Sequence, residues 1–317
     1  MTENSRPFIS ICIPAYKRPD KLRRLLKSIS IQTFKNFELV ISDDSVDDSV
    51  RLVIKEFPLL AVAYYENKRP LGTPANWNYG ISKAKGEWIK IMHDDDWFYD
   101  EFSLDHFALA TSSGKKFILS RYVNIFENGK TERPDFPVSK SKRIVKEPLT
   151  LLSDNIIGPP SVSLIHSSIK EQYDERMKWR VDMDLYIRLL SALGSYHLID
   201  KPLIKVGVSD SQVTNSCINV PEVELPEGQL MLDKYGIHPL SNILVYDAWW
   251  RILRNNKIRD KQQLFQYGDP SHWPEVIVKM VDLQKMIPAS LLKFGVISKM
   301  IMSLSYISNQ KKLSQNQ

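Results

Sequence analysis

Cysteine is scarce in this chain of 317 residues, which contains only Cys12 and Cys217. Two cysteines are too few for a disulfide framework, and they lack the paired spacing of a zinc or redox site. Long apolar runs are missing as well, since no stretch reaches the roughly 18 uncharged apolar residues that suggest a membrane span. The first residues show no apolar run behind a basic start, which argues against a secretory signal. We therefore expect a cytoplasmic protein, and peripheral attachment to the inner face of the plasma membrane stays open.

The glycine-rich motifs that bind phosphates are also absent. The sequence contains no Gly-x-x-x-x-Gly-Lys-Ser/Thr, and no Gly-x-Gly-x-x-Gly follows its first predicted strand. These absences weaken the P-loop and dinucleotide-binding interpretations, because both classes bind phosphates through the backbone of such a loop. A metal ion that bridges the phosphates is then the remaining common solution.

The charge balance is mildly basic, with 43 lysines and arginines against 37 acidic residues and a net charge of +6 at pH 7. A modest positive field is compatible with nucleic acid, anionic lipid or a phosphorylated substrate. We expect no nucleic-acid partner, because neither clustered basic residues nor a recognisable binding motif is evident.

Short apolar runs alternate with helical patterns in the first half of the chain. The runs predict four buried strands, and apolar residues spaced three and four apart predict the helices between them. The predicted strands cover 8–13, 37–42, 61–65 and 88–92. This alternation indicates an α/β fold, with a mostly parallel sheet flanked by helices. Ligands of such sheets bind beyond the carboxyl ends of the strands.

The pattern is less regular over 115–148. Asn128-Gly129 predicts a hairpin turn, whereas Pro134 and Pro137 argue against a helix. We therefore predict strands and a long loop in this segment.

Helical patterns return in the second half of the chain. One helix is predicted to begin near Asp182 and to stop at Gly194. Over 221–317 the composition shifts to helical stretches rich in tryptophan, methionine and lysine, which predicts a C-terminal helical extension.

Polar clusters follow three of the predicted strands. They are Pro14-Ala15-Tyr16-Lys17-Arg18, Asp43-Asp44-Ser45 and His93-Asp94-Asp95-Asp96. Consecutive carboxylates repel one another unless a cation or hydrogen-bond donors compensate them. Mg²⁺ and Mn²⁺ prefer carboxylate ligands and complete their coordination with substrate phosphates, so 94–96 predicts a metal and diphosphate site. Taken singly, these clusters are also typical of a helix cap or a solvated acidic loop, and a lone histidine is more often structural than a ligand.

With these motifs the sequence resembles the family 2 glycosyltransferases, over about 8–211. These proteins have the Rossmann-like GT-A fold and are mostly inverting enzymes that use nucleotide-diphosphate sugars. The first cluster looks like the family's Pro-x-Tyr-Asn-Arg start, and Asp94-Asp95-Asp96 looks like its Asp-x-Asp motif. The resemblance implies a GT-A domain over 1–220, with nucleotide-sugar binding over about 8–110 and the acceptor side over about 111–220, before the extension at 221–317.

The same resemblance implies roles for individual residues. It implies donor binding by Pro14, Ala15, Tyr16, Arg18, Asp44, Asn67, Gly72, Asn78, Asp94 and Asp95. It implies that Asp96 and Asp94 bind Mn²⁺ or Mg²⁺ and that Asp182 is the general base. The implied reaction is inverting transfer from a nucleotide-diphosphate sugar, expected to be a UDP-sugar, to a hydroxyl of a glycan or lipid-linked acceptor in bacterial surface polysaccharide synthesis.

The proposed base, Asp182, stands at a predicted helix start, where a plain helix cap is the alternative interpretation. Burial would raise its pKa and the helix N-terminus would lower it, and the sequence leaves the direction open. The chain departs from the family pattern at Lys17, where asparagine is usual, at Val181, where a glutamate precedes the base, and at Trp77, where arginine is frequent.

Other functional interpretations stay open at this level. A metal-dependent nucleotidyltransferase also pairs a nucleotide-binding sheet with metal-bound carboxylates, and a non-catalytic membrane- or nucleic-acid-binding protein would fit the basic charge. The tail over 287–312 is basic and apolar, with no acidic residue after Asp282. It predicts either contact with an anionic membrane surface or helices that pack on the domain or form a homodimer.

Overall fold

The computed structural model of the protein describes residues 6–209 and 216–314, without the side chains of Lys311, Lys312 and Ser314. Residues 210 and 211, at the end of the segment that resembles the glycosyltransferases, lie outside the described part. The chain forms two compact units. The first contains the described residues of 6–146, 156–175 and 184–209, and the second contains those of 147–155, 176–183 and 216–314. Two short segments that we predicted within the first domain thus group with the C-terminal helices.

The first unit is built around a single mixed sheet. Its strands are β1 (Ile9–Ala15), β2 (Phe37–Asp43), β3 (Val62–Glu66), β4 (Trp88–Ile91), β5 (Asp96–Phe98), β6 (Phe117–Phe126), β7 (Thr131–Glu132), β8 (Ser163–His166) and β9 (His197–Val208). The strand order is β3-β2-β1-β4-β8-β6-β9-β5, and β7 pairs with β6. The four predicted strands and the α/β fold class are therefore confirmed.

Helices connect the strands of this unit. They are α1 (Pro19–Ser30), α2 (Ser49–Lys55), α3 (Ala75–Ser82), α4 (Ser103–Ala110), α5 (Val138–Lys146) and α6 (Val181–Leu193), of which the first residues of α6 belong to the second unit. In α1 two sequence features specify the helix. Pro19 occupies its first turn, and an apolar stripe that includes Leu22 and Leu26 is fully buried.

Strands β1 to β4 pair in parallel, with β1 between β2 and β4. Three isoleucines of β1 have no exposed surface, as expected of a central strand covered on both faces. Because parallel strands end at the same edge of a sheet, the residues after β1, β2, β3 and β4 lie along one edge. This edge carries the polar clusters that the sequence indicated.

The segment over 115–148 is only partly as predicted. The hairpin turn is confirmed, because β6 and β7 pair in antiparallel and Gly129 has φ +80° at the turn. The prediction of a loop after it was wrong, since α5 begins directly after Pro137. The carbonyl of Pro137 accepts the first helical hydrogen bond, from Ser141 N, and a proline at a helix start loses no hydrogen bond through its missing N–H.

The second unit is mainly helical, which confirms the C-terminal helical extension. Its helices are α7 (Pro221–Tyr235), α8 (Ile243–Asn255), α9 (Lys261–Leu264), α10 (Glu275–Met286), α11 (Ala289–Lys293) and α12 (Gly295–Ser314). An apolar cluster around Tyr246, Trp249 and Trp250 forms its core. Within the described residues, each helix is too short or too polar to cross a bilayer.

Candidate active site

The end of β1 and the end of β2 are joined by backbone and side-chain hydrogen bonds. Ala15 pairs with Asp43 in the parallel ladder, and Lys17 N donates to Ser45 Oγ at 2.8 Å. Lys17 adopts φ +50°, a left-handed conformation that turns the chain sharply after the strand. Tyr16, whose side chain is half exposed, donates its backbone N–H to Asp94.

Asp44 holds the loop that follows β3. Its buried carboxylate accepts hydrogen bonds from Asn67 Nδ2 at 2.8 Å, Leu71 N at 3.0 Å and Gly72 N at 2.8 Å. Gly72 has φ +79°, which explains the glycine at this turn. Three residues predicted to bind the donor, Asp44, Asn67 and Gly72, therefore form one hydrogen-bonded unit at the sheet edge.

Asn78, on α3, is likewise satisfied within the protein. Its Nδ2 donates to Tyr173 O at 2.9 Å and to Glu175 Oε1 at 3.0 Å, and its Oδ1 accepts from Tyr173 N at 3.0 Å. This side chain fixes the position of the segment that contains Tyr173. Trp77, one of the departures from the family pattern, packs between the rings of Tyr173 and His93, with centroid distances of 5.1 and 4.4 Å.

The acidic tract after β4 is buried and forms a group able to hold a metal ion. Ligand atoms of His93, Asp95 and Asp96 all lie within 4.8 Å of one another. Asp94, predicted as a ligand with Asp96, is not in this group; one of its carboxylate oxygens lies 3.5 Å from Arg18 Nη1. Arg18 is also 3.1 Å from Asp95, so it partly balances the negative charge.

Burial is the main cause of the shifted pKa values in this group. Burial, and next the charge of Asp95, raise the pKa of Asp94 to about 7 and also raise the pKa of Asp96. Burial lowers the pKa of His93 to about 4, so its ring is neutral at pH 7, as a metal ligand must be. The Nε2 atom of His93 is buried and has no hydrogen-bond partner among the described residues.

These features fit a divalent cation. A cation would stabilise the ionised form of these buried carboxylates, and an orphaned imidazole nitrogen beside two carboxylates is a chemically suitable ligand set for Mn²⁺. The sequence placed His93 in the predicted metal and diphosphate tract but not among the metal ligands, although its position directly before the three aspartates was the available signal.

A lysine buried beneath the acidic tract also escaped the sequence reasoning. Lys90 lies on β4, is fully buried, and donates through Nζ to Ser161 O and, at 3.2 Å, to Ser163 O. Ser161 Oγ accepts from His93 N at 3.1 Å. Burial lowers the pKa of Lys90 to about 7, while the charge of Asp96 opposes that shift. The signal was a single lysine inside an otherwise apolar strand, which requires buried partners.

Gly207 on β9 approaches the acidic tract closely. Its N–H donates to Asp96 Oδ1 at 3.3 Å, and a Cβ at this position would lie 2.4 Å from Asp95 O. Arg24 also contacts this part of the tract. Its Nη2 donates to Asp95 O at 2.8 Å, and its guanidinium lies 3.6 Å from the ring centroid of Trp97.

Replacing Gly207 with alanine is therefore expected to destabilise the protein by about 2 kcal/mol and to lower activity, because backbone must move away from Asp95. Thermal unfolding and nucleotide release measure the two effects. Gly295→Ala is the matched control, since within the described part of the chain no atom beyond its own neighbouring backbone lies within 4 Å of the added Cβ. Its Tm should stay the same or rise. A Gly207→Ala protein with the parent Tm would contradict the close approach.

Asp182 belongs to the second unit, where it begins α6. Its carboxylate accepts from Met183 N at 2.8 Å and from Asn155 Nδ2 at 3.2 Å. Burial raises its pKa to about 6, against the lowering effect of these hydrogen bonds. The sequence left the direction of this pKa shift open. In the structure, the raising effect of burial outweighs the lowering effect of the helix N-terminus.

The turn before α6 is anchored by a residue that the sequence reasoning missed. Glu227, on α7, accepts hydrogen bonds from the backbone N–H groups of Lys178, Trp179 and Arg180. The buried guanidinium of Arg180 donates to Glu224 O at 2.9 Å. These bonds position the start of α6, and no local pattern could have revealed partners so distant in sequence.

Comparisons with known proteins agree with this geometry. The model of the family "Glycosyl transferase family 2" matches residues 10–166. An uncharacterized glycosyltransferase of Rickettsia typhi is 27% identical over 263 residues, which cover 76% of this chain and 80% of the relative.

Solved structures are similar over almost the whole chain. S. aureus TarS 1–349, crystallised in complex with UDP-GlcNAc, matches with a TM-score of 0.63 and 18% identity, covering 98% of this chain and 92% of TarS. The mannosyltransferase PcManGT of Pyrobaculum calidifontis, in complex with GDP-Man and Mn²⁺, matches with a TM-score of 0.57 and 12% identity, over 97% of this chain and 88% of that protein.

A mixed sheet with a buried acidic group at the ends of its parallel strands, together with these structural matches, defines a protein of the GT-A fold. The chain belongs to glycosyl transferase family 2, and it is a glycosyltransferase enzyme that uses a nucleotide sugar. The alternatives of a nucleotidyltransferase and of a non-catalytic binding protein have no comparable support.

Proposed function

We propose that this enzyme moves a sugar from a UDP-sugar to a hydroxyl of a glycan or lipid-linked acceptor, with inversion at the anomeric carbon, in bacterial surface polysaccharide synthesis. The observation that carries the donor half of the proposal is the cluster at the sheet edge. There His93, Asp95 and Asp96 form a group able to hold a cation, in the same unit as the loop organised by Asp44.

A divalent cation held at this edge would neutralise charge on the departing nucleotide diphosphate. We assign it to His93, Asp95 and Asp96, and Mn²⁺ suits this mixed ligand set better than Mg²⁺. The structure of PcManGT in complex with Mn²⁺, which has a similar fold, supports a divalent cation in this chain but does not identify its ligands. Asp94, predicted from sequence as a second ligand, is the alternative partner of Asp96.

The donor side uses groups that the fold holds in place. Arg18 lies beside Asp94 and Asp95, where its guanidinium can pair with a phosphate oxygen as well as with carboxylates. Asp44 keeps the loop over 67–72 in one conformation, and its remaining acceptor capacity is available for a base N–H or a ribose hydroxyl. The other predicted donor contacts, among them Pro14, Ala15 and Tyr16, keep that proposed role.

The acceptor side uses Asp182 as the general base. With a pKa of about 6, its carboxylate is mostly ionised at pH 7 and can accept the proton of an acceptor hydroxyl as that oxygen attacks the anomeric carbon. The hydrogen bonds from Met183 N and Asn155 Nδ2 fix the direction of the carboxylate.

A donor panel tests the proposed reaction. We expect nucleotide release from one nucleotide class, UDP-sugars, to exceed release from GDP- and TDP-sugars by at least about tenfold, and to require Mn²⁺ or Mg²⁺. TarS in complex with UDP-GlcNAc supports the choice of UDP, whereas PcManGT in complex with GDP-Man makes GDP-sugars the necessary comparison. Release that proceeds equally well in excess EDTA, or no release from any donor, would contradict the proposal.

A further inference from the structure

The last helix, α12, packs on the core of the second unit with a side that is partly apolar and partly polar. Met302 and Leu313 join the apolar cluster, and polar side chains form hydrogen bonds beside them. Trp250 Nε1 donates to Ser298 Oγ at 3.0 Å, the hydroxyls of Tyr246 and Ser305 are 2.7 Å apart, and Asn309 Nδ2 donates to the Tyr246 hydroxyl at 3.1 Å. The three α12 residues in these bonds are buried. Rotating the helix would leave buried polar groups unpaired, so its orientation is well determined.

The opposite side of α12 is apolar and exposed. Val296, Met300, Leu304 and Ile307 are spaced four, four and three residues apart, which places them on one stripe of the helix. Each is between 64% and 76% exposed. A helix on a globular surface normally exposes polar side chains, so this exposed apolar stripe is suited to an apolar surrounding.

Exposed apolar residues also precede the stripe, in and around α11. With the stripe they define a set that we name the tail face: Met286, Leu291, Phe294, Val296, Met300, Leu304 and Ile307. So many exposed large apolar side chains within 22 residues of sequence, four of them on one stripe of α12, indicate an interaction surface.

The charges of the same segment identify the partner. The chain has five lysines and no acidic residue after Asp282. Lys285, Lys293 and Lys299 are exposed, and the side chains of Lys311 and Lys312 lie outside the described part. Apolar side chains flanked by lysines match the headgroup region of an anionic bilayer. A second copy of the chain would bring the same positive charges to the interface, where they repel.

We propose that the tail face binds the surface of an anionic lipid bilayer, with α12 lying in the headgroup region. The charge and the apolar stripe require a surface location, because α12 is not apolar enough to span a bilayer. The proposal does not depend on the identity of the donor or acceptor.

Cosedimentation of the full chain with lipid vesicles tests the proposed binding of the tail face to an anionic bilayer. We expect binding to vesicles of phosphatidylcholine and phosphatidylglycerol, at least about tenfold weaker binding to phosphatidylcholine alone, and weakening of the binding by salt. Met300→Glu with Leu304→Glu should lower the partition coefficient at least about tenfold, because it removes apolar contact and adds repulsion. Lys293→Gln with Lys299→Gln should lower it about tenfold on anionic vesicles.

The control is Leu59→Glu with Leu109→Glu, the same substitution at residues that are 98% and 71% exposed elsewhere in the chain. It should bind vesicles like the parent. All substituted side chains are exposed, so each variant should keep the parent Tm and circular dichroism spectrum. Parent-like binding by both tail variants, or no binding of the parent chain to anionic vesicles, would overturn the proposal.

Light scattering in lipid-free buffer measures the oligomeric state and so tests whether the tail face binds a second copy of the chain instead of a membrane. A parent dimer that Met300→Glu with Leu304→Glu converts to a monomer, together with no vesicle binding by the parent, would assign the tail face to a homodimer and refute membrane binding. Donor turnover in detergent-free solution is measured in parallel and should be the same for the parent and the tail variants, so a failure of the proposed reaction is separable from a failure of this proposal.

Discussion

Replacing Asp182 with asparagine is expected to lower kcat by about 10²- to 10⁴-fold while the KM for the donor stays unchanged. Asparagine keeps the size of the side chain and can still accept from Met183 N, but it cannot take a proton. Steady-state kinetics with a saturating acceptor, and calorimetric titration of the nucleotide, separate turnover from donor binding. Parent-like turnover would refute the role of Asp182 as base.

The pH profile of the parent enzyme gives an independent reading of the same residue. A base must be ionised to act, so kcat/KM should fall as the pH is lowered through about 6, the pKa to which burial raises Asp182. This acid limb should be absent from the residual activity of Asp182→Asn. A limb near pH 4 would show a base that is not buried.

The stability of the variant serves as its control. Because the folded-state pKa of Asp182 is raised, the ionised carboxylate costs folding energy once the pH exceeds the unfolded-state pKa, and that cost is complete above about pH 6. Asparagine removes the charge, so the Tm at pH 8 should be unchanged or higher. Asp282→Asn, at an exposed position on α10, should leave both kcat and Tm unchanged.

Replacing Asp96 with asparagine is expected to lower activity about a thousandfold, equivalent to several kcal/mol of transition-state stabilisation. The side chain can still accept from Gly207 N, so the backbone arrangement should persist while the carboxylate ligand is lost. Mn²⁺ binding, followed by electron paramagnetic resonance without any sugar donor, should weaken in parallel. Excess EDTA should abolish the activity of the parent enzyme, and added Mn²⁺ should restore it.

Further variants decide between the two ligand sets. His93→Phe keeps the ring contact with Trp77 and removes both nitrogens, and Asp95→Asn removes a carboxylate. Both should weaken Mn²⁺ binding more than Asp94→Asn does, if the group formed by His93, Asp95 and Asp96 holds the ion. The reverse order would support Asp94 as the ligand beside Asp96.

The sequence was sufficient for much of the fold because the relevant patterns are local. The apolar runs at β1 to β4 are short, bounded and separated by helical stripes, so their type follows from periodicity alone. The helix α5 was missed because prolines were interpreted as helix breakers, although a proline is well tolerated at a helix start. Pro137 lies directly before α5, and only the folded chain shows that the helix starts after this proline.

The sequence by itself determined the four strands, the polar clusters at their ends and membership of the glycosyltransferase family, since these depend on residue order and spacing. Only the tertiary structure decided how the acidic tract divides. Asp94 lies beside Arg18, whereas Asp95 and Asp96 form a group with His93. It also decided the raised pKa of Asp182 and the exposure of the apolar stripe of α12 that contains Met300 and Leu304. Burial, charge pairing and side-chain direction depend on contacts between residues far apart in the chain, which spacing alone does not specify.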